Sequence, residues 1–244
     1  DEIILSKMDH DANISPWLLL AEDLNLKIKW LAFDNEPFEF NINDLDALLT
    51  NRTKLICVGG ASNLLGTIND IKTISKKAKS VGAFCFVDAV QLAPHVAIDV
   101  QDIGCDFLVC SSYKFFGPHQ GILWGKKDVM SSLELYKVRP ATDQLPGCFE
   151  TGTQSHEGIA GITAAIDYFA WVGEKYAQEF VIKNKSKRQR TEILHGALDY
   201  LLAYEADITK HLIDGLNTIK NLKIQGVTAN EAIHRRLPTV SFTI

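Results

Sequence analysis

Runs of apolar residues recur along this chain with two distinct periods. Glu2 to Ser6, Lys54 to Val58, Ala83 to Val87 and Cys105 to Cys110 are short, continuous and rich in Ile, Val, Leu, Phe and Cys, the signature of strands buried on both faces. Leu26 to Phe33 alternates Leu, Ile and Trp with lysine and predicts a strand with a partly solvated face. Between them the period becomes helical. A helix begins near Pro16, and Asn43-Asp44 is expected to cap a short helix carrying Leu45, Leu48 and Leu49. Ile71, Ile74, Ala78 and Val81 fall on one stripe, with Lys72, Lys76, Lys77 and Lys79 outside it. Gly121 to Trp124 predicts one more strand. Ser155 to Val172 predicts a helix with Ile159, Ile162, Ile166 and Phe169 on one face.

Alternation of strands and helices specifies an α/β architecture, a mainly parallel sheet covered on both faces. Near residue 180 it gives way to long helices reaching about Lys220, then to strands at Leu222–Val227 and Val240–Ile244. The expected division is residues 1–180 as a large domain and 181–244 as the beginning of a small α+β domain. Because the chain opens and closes inside strands, it reads as an internal stretch of a longer protein. Lys183 to Arg190 holds five basic residues, which fit a solvated helix face or linker, or an anion-binding patch.

Composition narrows the partners. At 46% hydrophobic content the 244 residues can bury a large core, and a net charge of −5 gives no argument for nucleic acid. No apolar run is long enough for a membrane span, and no signal peptide is visible. Five cysteines without a Cys-x-x-Cys pair imply reduced, mostly buried thiols and a cytoplasmic protein.

Candidate chemistry collects beyond the carboxyl ends of the buried strands, where open α/β sheets bind ligands. His10 follows the first strand and Asn63 follows Lys54–Val58. Asp88 and Gln91 follow Ala83–Val87, and Ser111 with Lys114 follow Asp106–Cys110. Each has a structural alternative: His10 and Asp88 could cap helices, Asn63 beside Gly66 suits a turn, and Lys114 could be a solvated lysine past the sheet edge. Taken together, an amine nucleophile, a carboxylate and a hydroxyl in one cleft suit pyridoxal phosphate. That cofactor binds a lysine as a Schiff base, keeps its ring nitrogen protonated against a carboxylate and anchors its phosphate on hydroxyl donors. No metal set is expected.

Four spaced motifs carry a resemblance. Met8-Asp9-His10-Asp11-Ala12-Asn13, Ser62-Asn63-Leu64-Leu65-Gly66-Thr67, Val87-Asp88-Ala89-Val90-Gln91 and Ser111-Ser112-Tyr113-Lys114 resemble, in order and spacing, the class V aminotransferases, particularly the cysteine desulfurase-like branch. Glu150-Thr151-Gly152-Thr153 resembles a later Gly-Thr element of that family. The resemblance implies a three-layer αβα large domain of the fold-type I pyridoxal-phosphate enzymes and an amino-acid substrate. It implies that His10 stacks on the cofactor ring, Asn63 and Gln91 bond around the ring hydroxyl and Asp88 pairs with the ring nitrogen. Ser111 would meet the phosphate, Lys114 would form the Schiff base and shuttle protons, and Thr153 would complete the site of a second subunit in a homodimer. The family's usual histidine before the lysine is Tyr113 here, and a phosphate loop, a substrate-binding arginine and a sulfur-accepting cysteine are expected outside these 244 residues, leaving the stretch inactive alone. Transamination or epimerisation, and a non-catalytic binding module, are the competing expectations. A Rossmann-like nucleotide site lacks its glycine motif. His95 is expected in core or loop packing, and His119 could line the cleft.

Overall fold

The computed structural model describes residues 1–34, 36, 38–150, 152–183 and 189–244, without the side chain of Lys183. Strands and helices build the first 132 residues: β1 (Glu2–Ser6), α1 (Ser15–Asp23), β2 (Lys27–Leu31), α2 (Ile42–Leu48), β3 (Thr53–Gly59), α3 (Ile71–Ser80), β4 (Phe84–Asp88), α4 (Val100–Ile103), β5 (Phe107–Ser111) and β6 (Gly121–Gly125), with α5 (Lys127–Ser132) closing the run. Their six strands form one sheet in the order β2-β1-β3-β4-β5-β6. The first five are parallel, and β6 returns antiparallel against β5 through Leu108–Trp124 and Cys110–Ile122.

Alternate residues of each strand serve opposite faces. Ile4, Ile56, Val58, Cys85, Val87 and Leu108 point into the larger core, met by Leu45 of α2 and by Ile71, Ile74 and Ala78 of α3. Ile3, Leu5 and Cys57 point to the other face, under Trp17 of α1. The result is a three-layer α/β fold around a mainly parallel sheet.

Two local expectations need correction. The cap of α2 is Asn41, whose side chain accepts the Asn43 N–H at 3.1 Å, so the helix starts before the Asn43-Asp44 pair. In α6 (His156–Tyr176) the buried positions are Gly158, Ala165, Phe169, Ala170, Val172 and Gly173, while Ile159 is 48% exposed. Glycines let α6 approach its neighbours: a Cβ at Gly173 would lie 2.5 Å from the Ile193 carbonyl, and one at Gly158 would overlap the Gln120 side chain.

After α7 (Gln178–Lys183), the long α8 (Gln189–Leu216) packs along α6 and α7 and reaches the sheet core through Leu202. His95, after β4, pairs with Glu205 of α8 at 2.7 Å. The basic run 183–190 lies largely outside the described residues; Arg190 pairs with Asp167 of α6. The last two strands are shorter than expected. β7 (Lys223–Gln225) and β8 (Ser241–Thr243) form a separate antiparallel pair. No described helix is long and apolar enough to cross a membrane.

Candidate active site

The carboxyl ends of β1, β3, β4 and β5 converge on a cavity of about 240 Å³. Its lining includes His10, Asn63, Asp88, Gln91, Ser111 and Lys114, the six residues singled out from separate stretches of sequence. Parallel pairing brings them together, because Cys57, Val58 and Gly59 of β3 stand beside Phe86, Val87 and Asp88 of β4. Asp88 in turn stands beside Val109 of β5.

Depth separates two groups. His10, Asn63, Tyr113 and Lys114 are exposed at the rim, and Asp9, Asp88, Gln91 and Ser111 sit half-buried below them. Lys114 lies in the 3-10 turn Ser112–Phe115 that ends β5, and Phe116 leaves that turn in the left-handed region at φ 69°. Ser112 fastens the turn, its hydroxyl donating to the Pro118 and Gln120 carbonyls. The Lys114 ammonium lies 5.6 Å from the centre of the Tyr113 ring, a cation–π contact. His119 stacks on that ring at 5.2 Å, backing Tyr113, and is not among the residues that line the cavity.

His10 does cap the short 3-10 turn Asp11–Asn13: its Nδ1 accepts the Ala12 N–H at 3.0 Å. That bond needs the Nδ1 lone pair, so a neutral ring carries its proton on Nε2. Asp88 accepts the Val90 N–H at 2.9 Å on Oδ1, and the described residues supply it no other hydrogen bond. Burial pushes its pKa up, opposed by that amide and by His10. A half-buried carboxylate with spare acceptor capacity, on a wall that also carries an amine, is suited to a cationic ligand group.

Asp9 is the site residue that sequence reasoning missed. Its carboxylate takes the Gly59 N–H at 2.9 Å, the Asn13 side-chain amide at 2.7 Å and the Ser6 hydroxyl. Burial outweighs these bonds, and the nearby Asp88 adds to the effect, so its pKa is pushed up to about 6. Asp9 thus fastens the turn bearing His10 onto the end of β3. The available signal was its place in the Met8–Asn13 motif, between a buried strand and His10.

Thr153 stands apart. It is exposed in the segment before α6 and does not line this cavity. None of the five cysteines lines it either; Cys57, Cys85, Cys105 and Cys148 are buried and Cys110 is half-buried, all as free thiols. No cluster of metal-ligating side chains occurs among the described residues.

Comparison with known proteins agrees with this architecture. A family model described as aminotransferase class-V matches residues 1–234. A probable cysteine desulfurase of Borreliella burgdorferi is 38% identical over 200 residues, covering 75% of this chain and 46% of that protein. A cysteine desulfurase of Pectobacterium carotovorum is 31% identical over 239 residues, covering 93% and 53%. Among solved structures, the apo cysteine desulfurase of Thermococcus onnurineus superposes with a TM-score of 0.81 at 24% identity, covering 100% of this chain and 57% of that one. The chain spans about half the length of the curated relatives it matches. By the family match over residues 1–234, with which its strand order and cavity agree, the chain belongs to the class V aminotransferase family.

Proposed function

We propose that these residues form the pyridoxal-phosphate site of an enzyme that removes sulfur from cysteine. The observation that carries the reading is the convergence of the Asp88 carboxylate, the Lys114 amine and the His10 ring on one cavity, in a chain whose relatives are named cysteine desulfurases. The donor set fits the cofactor. Lys114 supplies the only amine on the wall among the described residues, Asp88 a carboxylate for a protonated ring nitrogen, Asn63 and Gln91 amides for a ring hydroxyl, and Ser111 one donor for the phosphate. Bound there, pyridoxal phosphate serves as the electron sink for a carbanion at the substrate's α-carbon.

The chain's own residues do the rest. Lys114 would hold the cofactor covalently through Nζ, and the same amine, when free, would be placed to move a proton to and from the substrate. Its position at the exposed rim gives Nζ freedom to swing. Asp88 keeps a ring-nitrogen proton in place, each charge offsetting the other's desolvation. His10 covers the mouth of the cavity, on a turn that Asp9 keeps fixed. Thr153, exposed and outside the cavity, is offered to the site of a second subunit, so the active unit is a homodimer. Free thiols and the absence of a membrane-crossing helix among the described residues agree with a cytoplasmic setting.

The test uses the full-length protein with added pyridoxal phosphate and a thiol reductant such as dithiothreitol, which reduces the released sulfur to sulfide. Release of sulfide and alanine from cysteine, abolished in Lys114→Ala, is the expected result. Transamination of cysteine to 3-mercaptopyruvate without sulfide would replace desulfuration by its closest competitor.

A further inference from the structure

Arg236 is buried at 3% exposure, yet it forms no ion pair with a described carboxylate. Its guanidinium donates only to carbonyls. Nη1 reaches Val227, Nη2 reaches Thr239 and, at 3.4 Å, Leu65, and Nε reaches Leu237 at 3.2 Å. A buried cation without a counter-ion is costly unless its donors are all used, so this arrangement fixes one geometry. The carbonyls come from the end of β7, from residues 237–239 and from the loop after β3 that carries Asn63.

Main-chain bonds fasten the same pieces. The Ile68 N–H donates to the Arg235 carbonyl at 2.9 Å and the Leu237 N–H to the Gly66 carbonyl at 2.8 Å, while the Ser241 hydroxyl donates to Leu64. From this clasp the Thr239 hydroxyl reaches the cavity wall: Gln91 Nε2 donates to Thr239 Oγ1 at 3.1 Å, across 148 positions of sequence. An amide has distinct donor and acceptor ends. Nε2 spends one of its two hydrogens on Thr239, which ties the Gln91 amide to this segment.

We infer that Thr239, seated by Arg236, is a positioning residue that holds the Gln91 amide in place for its hydrogen bond to a donor on the cavity ligand. This rests on the pyridoxal-phosphate reading, in which that donor is the ring hydroxyl. It also means that the segment joining the β7–β8 pair to the sheet positions one wall of the site.

The experiment compares Thr239→Val, Thr239→Ser and wild type in the full-length protein. Valine keeps the shape and removes the hydroxyl, and serine restores it. Pyridoxal-phosphate affinity and the absorption maximum of the bound cofactor are measured by titration, and amide hydrogen exchange across residues 89–96 is measured in the cofactor-free protein. The expected result is about three- to tenfold weaker binding and a shifted maximum for valine, with serine close to wild type, as for loss of one neutral hydrogen bond. Faster exchange at residues 89–96 should appear in valine alone. Equal behaviour of all three proteins overturns the inference, and so does equal impairment of serine and valine. If wild type itself fails to bind the cofactor, the functional reading falls, and the exchange comparison still decides whether Thr239 holds the Gln91 segment.

Discussion

Replacing Asp9 with asparagine tests how the site is assembled, because the two side chains differ in charge and in one acceptor. Moving the Asp9 pKa from 3.8 to about 6 means that its ionised form costs the fold about 3 kcal/mol relative to the protonated acid, at about 1.4 kcal/mol per pH unit. The sign follows from a folded pKa above the unfolded one. The favourable contribution is complete below pH 3.8, shrinks as pH rises, and is gone above about 6. Asparagine does not titrate. Relative to wild type, the variant should therefore gain stability by about 2 kcal/mol between pH 4.5 and 8. A constant offset of about 1 kcal/mol runs the other way. The new amide nitrogen cannot accept from Asn13, and Asn13 cannot turn round without losing the Trp17 indole that donates to its Oδ1 at 3.1 Å. Urea unfolding of both full-length, cofactor-free proteins at several pH values gives the two curves. Parallel curves would show that Asp9 is not the desolvated carboxylate its three donors define.

Three further outcomes follow from single contacts. Asp88→Asn should still take up the cofactor on Lys114 but lose turnover by about a hundredfold or more, read by comparing absorbance with sulfide release; wild-type turnover would remove Asp88 from the chemistry. Gly66→Ala should destabilise by about 2 kcal/mol or more in urea unfolding, because φ is 78° and the new Cβ would stand 2.7 Å from the Thr239 carbonyl and 2.9 Å from that of Leu237. Unchanged stability would mean that the Arg236 clasp is loose. Thr153→Ala should weaken cofactor binding, and mixing it with Lys114→Ala subunits should restore one working site per dimer; no recovery on mixing would place Thr153 outside the partner's site.

The sheet was legible because β1 and most of β3 are buried on both faces and, with β4 and β5, appear as unbroken apolar runs. The cavity was legible because parallel strands all end at one edge, so polar residues after β1, β3, β4 and β5 had to gather there. The missed features depend on distant partners. Asp9 matters through the Gly59 amide, fifty residues on. The buried face of α6 is marked by Gly158 and Gly173, which a search for apolar stripes passes over. Arg236 looks like one of two adjacent surface arginines until carbonyls from three segments close around it.

The central claim is that Lys114 carries the cofactor, and covalent mapping tests it most directly. The full-length protein is loaded with pyridoxal phosphate, reduced with borohydride, digested and read by mass spectrometry. A pyridoxyl group on the peptide containing Lys114 is the predicted result. Its appearance on another lysine, or on none, would contradict the account.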